Sequence, residues 1–177
     1  KKLSNYKNFK KIFYKDFPVQ MNKRLFQLEL AETLKIISKK GVNGFYEGEV
    51  ADKIVSDMNN RKGLISLKDL KDYRPVWREP LKGNFKEYEI VTMAPPSSGG
   101  IHIIQMLNIL ENFNLEELGH NSAAYASLLS EVMKFAYADR SKYLADPDFF
   151  EVPTSRLISK DYAEAIFKKI RLNKITP

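Results

Sequence analysis

Hydrophobic positions fall first at helical spacing. Over residues 24–39, Leu25, Leu28, Leu34 and Ile37 recur along one stripe and Gly41 follows as a stop signal, which predicts an amphipathic helix. Residues 41–48 read as a connector. Val50, Ile54 and Met58 then share a face at i, i+4, i+8, predicting a second helix that ends before Arg61 and pairs antiparallel with the first. Ser66 opens an S-x-x-D pattern with Asp69, a capping box flanked by the apolar Ile65 and Leu70. The short helix it starts must stop near Arg74, because Pro75 disfavours helix at the residue before it.

Between Pro80 and Pro95 the period becomes two. Leu81, Gly83 and Phe85 alternate with polar residues, and Tyr88, Ile90 and Thr92 oppose Glu89, Val91 and Met93, so a β-hairpin turning at Lys86-Glu87 is predicted. The chain then enters APPSSGG at 94–100 and a run over 101–110 broken only by His102, Gln105 and Asn108, which predicts a central buried helix. Asn121 is expected to cap a long helix carrying Tyr125, Leu128, Leu129, Val132, Ala136 and Arg140 on one stripe, with Asp146-Pro147 closing it. After a loop over 147–153, Ser159 caps a last helix whose inner face holds Ala163, Ile166, Phe167 and Ile170.

The 177 residues suffice for one domain or slightly more, and 44% hydrophobic with 29% charged side chains is a globular composition. The net charge of +7 is dispersed, densest near the two ends, and no reader motif accompanies it, so no nucleic-acid partner is expected. Without cysteine there is no disulfide, thiolate nucleophile or cysteine zinc site. No stretch approaches the ~20 apolar residues of a membrane span, and the lysine-rich start lacks the apolar centre of a signal peptide. The chain starts without methionine and ends at Ile175-Thr176-Pro177, which suggests a piece of a longer protein.

APPSSGG admits three readings. A serine nucleophile at Ser97 or Ser98 would want G-x-S-x-G spacing and a histidine base, and His102 and His120 have no supporting pattern. A phosphate cradle would exploit the free N–H groups of a helix start but lacks the lysine of a nucleotide loop. The third reading makes Ser97 or Ser98 a helix cap and Gly99 and Gly100 packing positions in a strand-to-helix turn, with no catalytic residue in the chain. Asp139 with Arg140, and Asp146 with Asp148, read as structural ion pairs and caps, and Trp77 with Tyr73 as a packing anchor.

Four stretches together resemble one family: GFYEGEVADKIVSD at 44–57, GLISLKDLKDYRPVWREPLKG at 63–83, MAPPSSGGIHIIQMLNILENF at 93–113 and FAYADRSKYLADPDF at 135–149. They look like the C-terminal half of the large subunit of bacterial γ-glutamyltranspeptidase, or glutathione hydrolase, from about Leu25 to Ile170. Lys62, Ala94 and Ala145 depart from the family's usual glycine, proline and glycine. The resemblance implies an α+β fold, a mostly helical segment with one β-hairpin, forming part of the αββα sandwich of an N-terminal nucleophile hydrolase. Residues 1–20 are then a lead-in, and 21–177 an incomplete large-subunit domain.

By the same resemblance, the nucleophile is a threonine exposed at the start of the small subunit by self-cleavage of one precursor. It attacks the γ-glutamyl amide of glutathione, and water or an acceptor amine resolves the γ-glutamyl enzyme. That motif is outside this sequence, and Thr154 and Thr176 are not in its context, so the segment alone is expected to be inactive. The implied partners are the remainder of the large subunit, the small subunit and a small γ-glutamyl substrate. No metal or organic cofactor is implied, and the implied location is the periplasm or the exterior. Relatives sharing the scaffold, a cephalosporin acylase or a poly-γ-glutamate depolymerase, are the enzymatic alternative, and a basic helical binding module the non-catalytic one.

Overall fold

The computed structural model describes residues 5–13, 22 and 24–172, in two compact units, 1–75 and 76–177. Part of the lead-in expected over 1–20 therefore lies outside the described residues.

The first unit is helical: α1 (Lys7–Phe13), α2 (Leu28–Lys40), α3 (Asn43–Tyr46), α4 (Glu49–Asn60) and α5 (Leu67–Asp72). The expected connector thus contains α3, a single turn too short to leave a periodic signature. It changes the expected pairing, because α2 and α4 each pack on α3. Gly44 permits that approach: a Cβ there would lie 2.8 Å from the Ile36 carbonyl oxygen on α2. The predicted stripe of α2 buries no residue, whereas α4 buries Val50 and Ala51. The capping box forms as read, with Ser66 Oγ accepting from Asp69 N and the Asp69 carboxylate accepting from Ser66 N. The Ser66 hydroxyl, which also donates to the Asp69 carboxylate at 2.6 Å, and then the Ser66 amide hold this carboxyl below its ordinary value.

In the second unit, β1 (Leu81–Phe85) pairs antiparallel with β2 (Tyr88–Thr92), Leu81 opposite Thr92 and Phe85 opposite Tyr88. The two-residue turn is the predicted Lys86-Glu87, with Lys86 at φ 51°. Helices α6 (Ser98–Leu110), α7 (Leu115–Leu118), α8 (Ala123–Tyr143), α9 (Thr154–Leu157) and α10 (Lys160–Phe167) follow. The predicted central helix, α6, touches the hairpin, α8, α9 and α10. Its Ile109 and Leu110 join Leu128, Val132, Ala163, Ile166 and Ile170 in one apolar cluster.

The cap of α8 is Ser122, whose Oγ accepts from Tyr125 N at 3.0 Å. Asn121, the expected cap, instead sits at φ 55° in the turn before it, a conformation asparagine tolerates better than most residues. Ser159 caps α10 as expected.

Glu111, just past α6, joins three elements. Its Oε1 accepts from Lys86 N in the hairpin turn at 2.6 Å, and its Oε2 pairs with Lys160 Nζ, which also donates to the Asn84 carbonyl at 3.0 Å. Lys160, and secondarily the Lys86 amide, hold this carboxyl below its ordinary value. A depressed carboxyl contributes stability above its unfolded value and loses it as pH falls through the folded one. Glu111→Gln should therefore lower the melting temperature at neutral pH, with the gap to wild type closing in acid. A gap independent of pH would contradict this role.

Candidate functional site

The residues singled out around APPSSGG gather where β2 gives way to α6. Ser97 occupies the N-cap position with extended backbone, but its side chain makes no capping hydrogen bond. Ser98 Oγ accepts from Arg140 Nε of α8 at 3.3 Å. The two glycines differ. A Cβ on Gly100 would lie 2.0 Å from the Met93 carbonyl oxygen, whereas on Gly99 its nearest neighbour would be Ser97 Oγ at 3.7 Å.

Behind the turn, α6 carries three buried polar side chains at three-residue spacing: His102, Gln105 and Asn108. Gln105 Nε2 donates to Asp139 Oδ2 at 2.5 Å, and Tyr162 Oη of α10 lies 3.0 Å from both Asp139 oxygens. Burial, then its bond to Asp139, pushes the Tyr162 phenol up. The Arg156 guanidinium lies 4.8 Å from the centre of the Tyr162 ring and 5.2 Å from that of Tyr143, within cation–π range. Asn108 Nδ2 donates to the Ile158 carbonyl at 2.7 Å, holding the α9–α10 corner on α6.

His102 faces the Tyr137 ring, and its Nε2 has no hydrogen-bond partner. Burial first, and the Arg140 charge second, hold this imidazole below its ordinary value, which favours its neutral form. His120 lies apart, with Nε2 3.0 Å from Asn121 Nδ2. Ser98 is thus bonded to arginine, and no serine–histidine pair joins among the described residues. Nor do the described residues hold a cluster of three or more metal-ligating side chains.

The acidic residues read as structural have structural partners. Asp146 Oδ1 accepts from Asp148 N, and Asp148 pairs with Arg78 at 2.6 Å. The packing-anchor reading of Trp77 and Tyr73 is corrected. Tyr73 stacks on Tyr46 with ring centroids 5.5 Å apart, while Trp77 is fully exposed. Arg140, expected on the inner stripe of α8, is also exposed. The Gln105–Asp139–Tyr162 network went unread because its members lie 34 and 23 positions apart, with no motif joining them.

The arrangement is α+β, mostly helical with one hairpin, and its structural neighbours are N-terminal nucleophile hydrolases of transpeptidase and acylase type. The crystal structure of Helicobacter pylori gamma-glutamyltranspeptidase superposes with a TM-score of 0.87 at 42% identity, covering 99% of this chain and 51% of that one. A cephalosporin acylase from Bacillus halodurans matches with a TM-score of 0.70 at 30% identity, over 80% of this chain and 26% of that one. The glutathione hydrolase proenzyme of Escherichia coli is 44% identical over 176 residues, 99% of this chain. The chain spans 30% of that proenzyme's length. The sequence matches the family described as Gamma-glutamyltranspeptidase over residues 1–177. The chain belongs to that family.

Proposed function

We propose that this chain is the C-terminal part of the large subunit of a γ-glutamyltranspeptidase, a structural segment of an enzyme whose nucleophile lies outside it. The observation carrying this reading is the match to the Helicobacter pylori transpeptidase over 99% of the chain at a TM-score of 0.87. The same stretch makes up 30% of the Escherichia coli proenzyme but 51% of the Helicobacter pylori chain. That the Escherichia coli relative is named a proenzyme supports a precursor that is processed. In the complete enzyme, a threonine hydroxyl attacks the γ-glutamyl carbonyl carbon while the threonine's own amine takes its proton. The amide C–N bond breaks, the leaving amine gains the proton, and water or an acceptor amine releases the γ-glutamyl ester. Glutathione is the donor this reading favours.

Within the segment, Ser97, Ser98, Gly99 and Gly100 serve as a strand-to-helix turn. Support comes from the close approach of Gly100 to Met93 and from Ser98's bond to Arg140. We place the enzyme in the periplasm or outside the cell; among the described residues no helix is long and apolar enough to cross a membrane. The acylase reading is less well supported, with the lower TM-score and coverage.

A γ-glutamyl anilide assay tests the proposal. The complete precursor should turn the anilide over faster than a β-lactam side-chain amide, and the isolated 177 residues should match the background. Robust turnover by the pure segment would sink the idea.

A further inference from the structure

Adjacent residues on α8 reach different elements. Arg140 donates to Ser98, the first residue of α6, while Asp139 accepts from Gln105 in the middle of α6 and from Tyr162 on α10. Arg156 of α9 faces the Tyr162 ring, and Asn108 holds the Ile158 carbonyl just before α10. Directional bonds therefore run from the APPSSGG turn to the last helix of the segment. The apolar contacts among α6, α8 and α10, centred on Ile109, Leu128, Val132, Ala163 and Ile166, are non-directional and tolerate small slides. Charge-assisted bonds to a carboxylate do not. The network has a cost: Gln105 is fully buried and its Oε1 has no partner. A leucine there would fill the space without that desolvation penalty. Polar groups kept in a core against such a penalty fit a role in selecting one arrangement.

We infer that Asp139 and Arg140 are positioning residues that lock the APPSSGG turn and the chain leaving α10 into one register, and that self-cleavage of the precursor depends on it. The inference rests on the precursor reading above. In that step the hydroxyl of the future first threonine attacks the carbonyl carbon before it. The C–N bond breaks to give an ester and a free amine, and water hydrolyses the ester to a carboxylate and the hydroxyl. Such an attack needs its atoms about 3–3.5 Å apart, and a displacement of about 1 Å costs on the order of 100-fold in rate. The turn after α10 is bonded back to the helix, Lys168 N to the Glu164 carbonyl and Ile170 N to the Phe167 carbonyl, so a slide of α10 carries residues 168–170 with it.

The test is a time course of one-chain to two-chain conversion in the purified complete precursor. Asp139→Asn and Tyr162→Phe should each slow conversion by about tenfold or more, the range a displacement of a fraction of an ångström produces. Their combination should be no slower than the slower single variant, since both act on the Tyr162–Asp139 bond, one by removing the donor and the other by removing the acceptor's charge. Asp139→Glu, which keeps the carboxylate, should recover part of the rate. Ile166→Val, a core control that lowers melting temperature without touching the network, should convert at the wild-type rate. Wild-type conversion by Tyr162→Phe and Asp139→Asn would overturn the inference, as would equal slowing by Ile166→Val. A wild-type precursor that never converts would overturn the precursor reading, and this inference with it.

Discussion

Replacing Gly100 with alanine is expected to destabilise the folded precursor severely. The added methyl would lie 2.0 Å from the Met93 carbonyl oxygen and 3.0 Å from both the Met93 carbonyl carbon and Thr92 Cγ2. Overpacking a core ordinarily costs about 1–3 kcal/mol. Here the obstacle is the backbone of the strand leading into the turn, which cannot rotate aside as a side chain does. A loss of about 3 kcal/mol or more follows, a large share of the roughly 5–15 kcal/mol that holds a domain together. The α6 start would have to lift off β2, carrying Ser98 away from Arg140. Gly99→Ala is the control: its nearest contact is an ordinary 3.7 Å, and alanine is the better helix former by up to about 1 kcal/mol. Soluble yield and the urea midpoint should collapse for the first variant and hold or rise for the second. Equal midpoints would show that the approach to Met93 is not required.

That contrast marks a limit of the sequence. The two glycines are interchangeable in the pattern APPSSGG, and only the path of the preceding strand distinguishes them. What could be read was whatever a local rule dictates: the hairpin register from the period of two, the central helix from its apolar run, and α5 from its capping box. Single turns such as α3 and α9 escaped because four residues carry no period. At the start of α8, Asn121 and Ser122 are both good caps, and it is the left-handed turn at Asn121 that assigns the cap to Ser122.

The candidate site was less legible still. Serines, histidines and aspartates could be named, but not their partners. Ser98 finds an arginine instead of an imidazole, and Asp139 finds Gln105 and Tyr162 across two other helices. The partners that the structure supplies tie α6 to α8 and to α10, and no local rule of the sequence names them.

The apolar residues divide into a buried cluster shared by α6, α8 and α10 and an open stripe on and just before α2. Leu128→Ala should cost about 2–5 kcal/mol, because Leu128 is fully buried in the cluster it shares with residues of α6 and α10 and its removal leaves a cavity the surrounding side chains can fill only in part. Leu34→Ala is the same chemical change with a different expected result. Leu34 is 56% exposed on α2, and Phe26 at 72%, Leu28 at 74% and Leu30 at 48% leave much apolar surface on and just before that helix open as well. In the isolated 177 residues its truncation should move stability by less than about 0.5 kcal/mol, the usual range for a surface site. In the complete precursor, of which a relative is more than three times the length, the cost should rise to about 1–2 kcal/mol as the remaining chain covers the stripe. Urea titrations of both variants in both contexts measure the difference. An equal, small effect of Leu34→Ala in segment and precursor would mean that this face stays in solvent in the finished enzyme, and that the period of α2 records something other than burial.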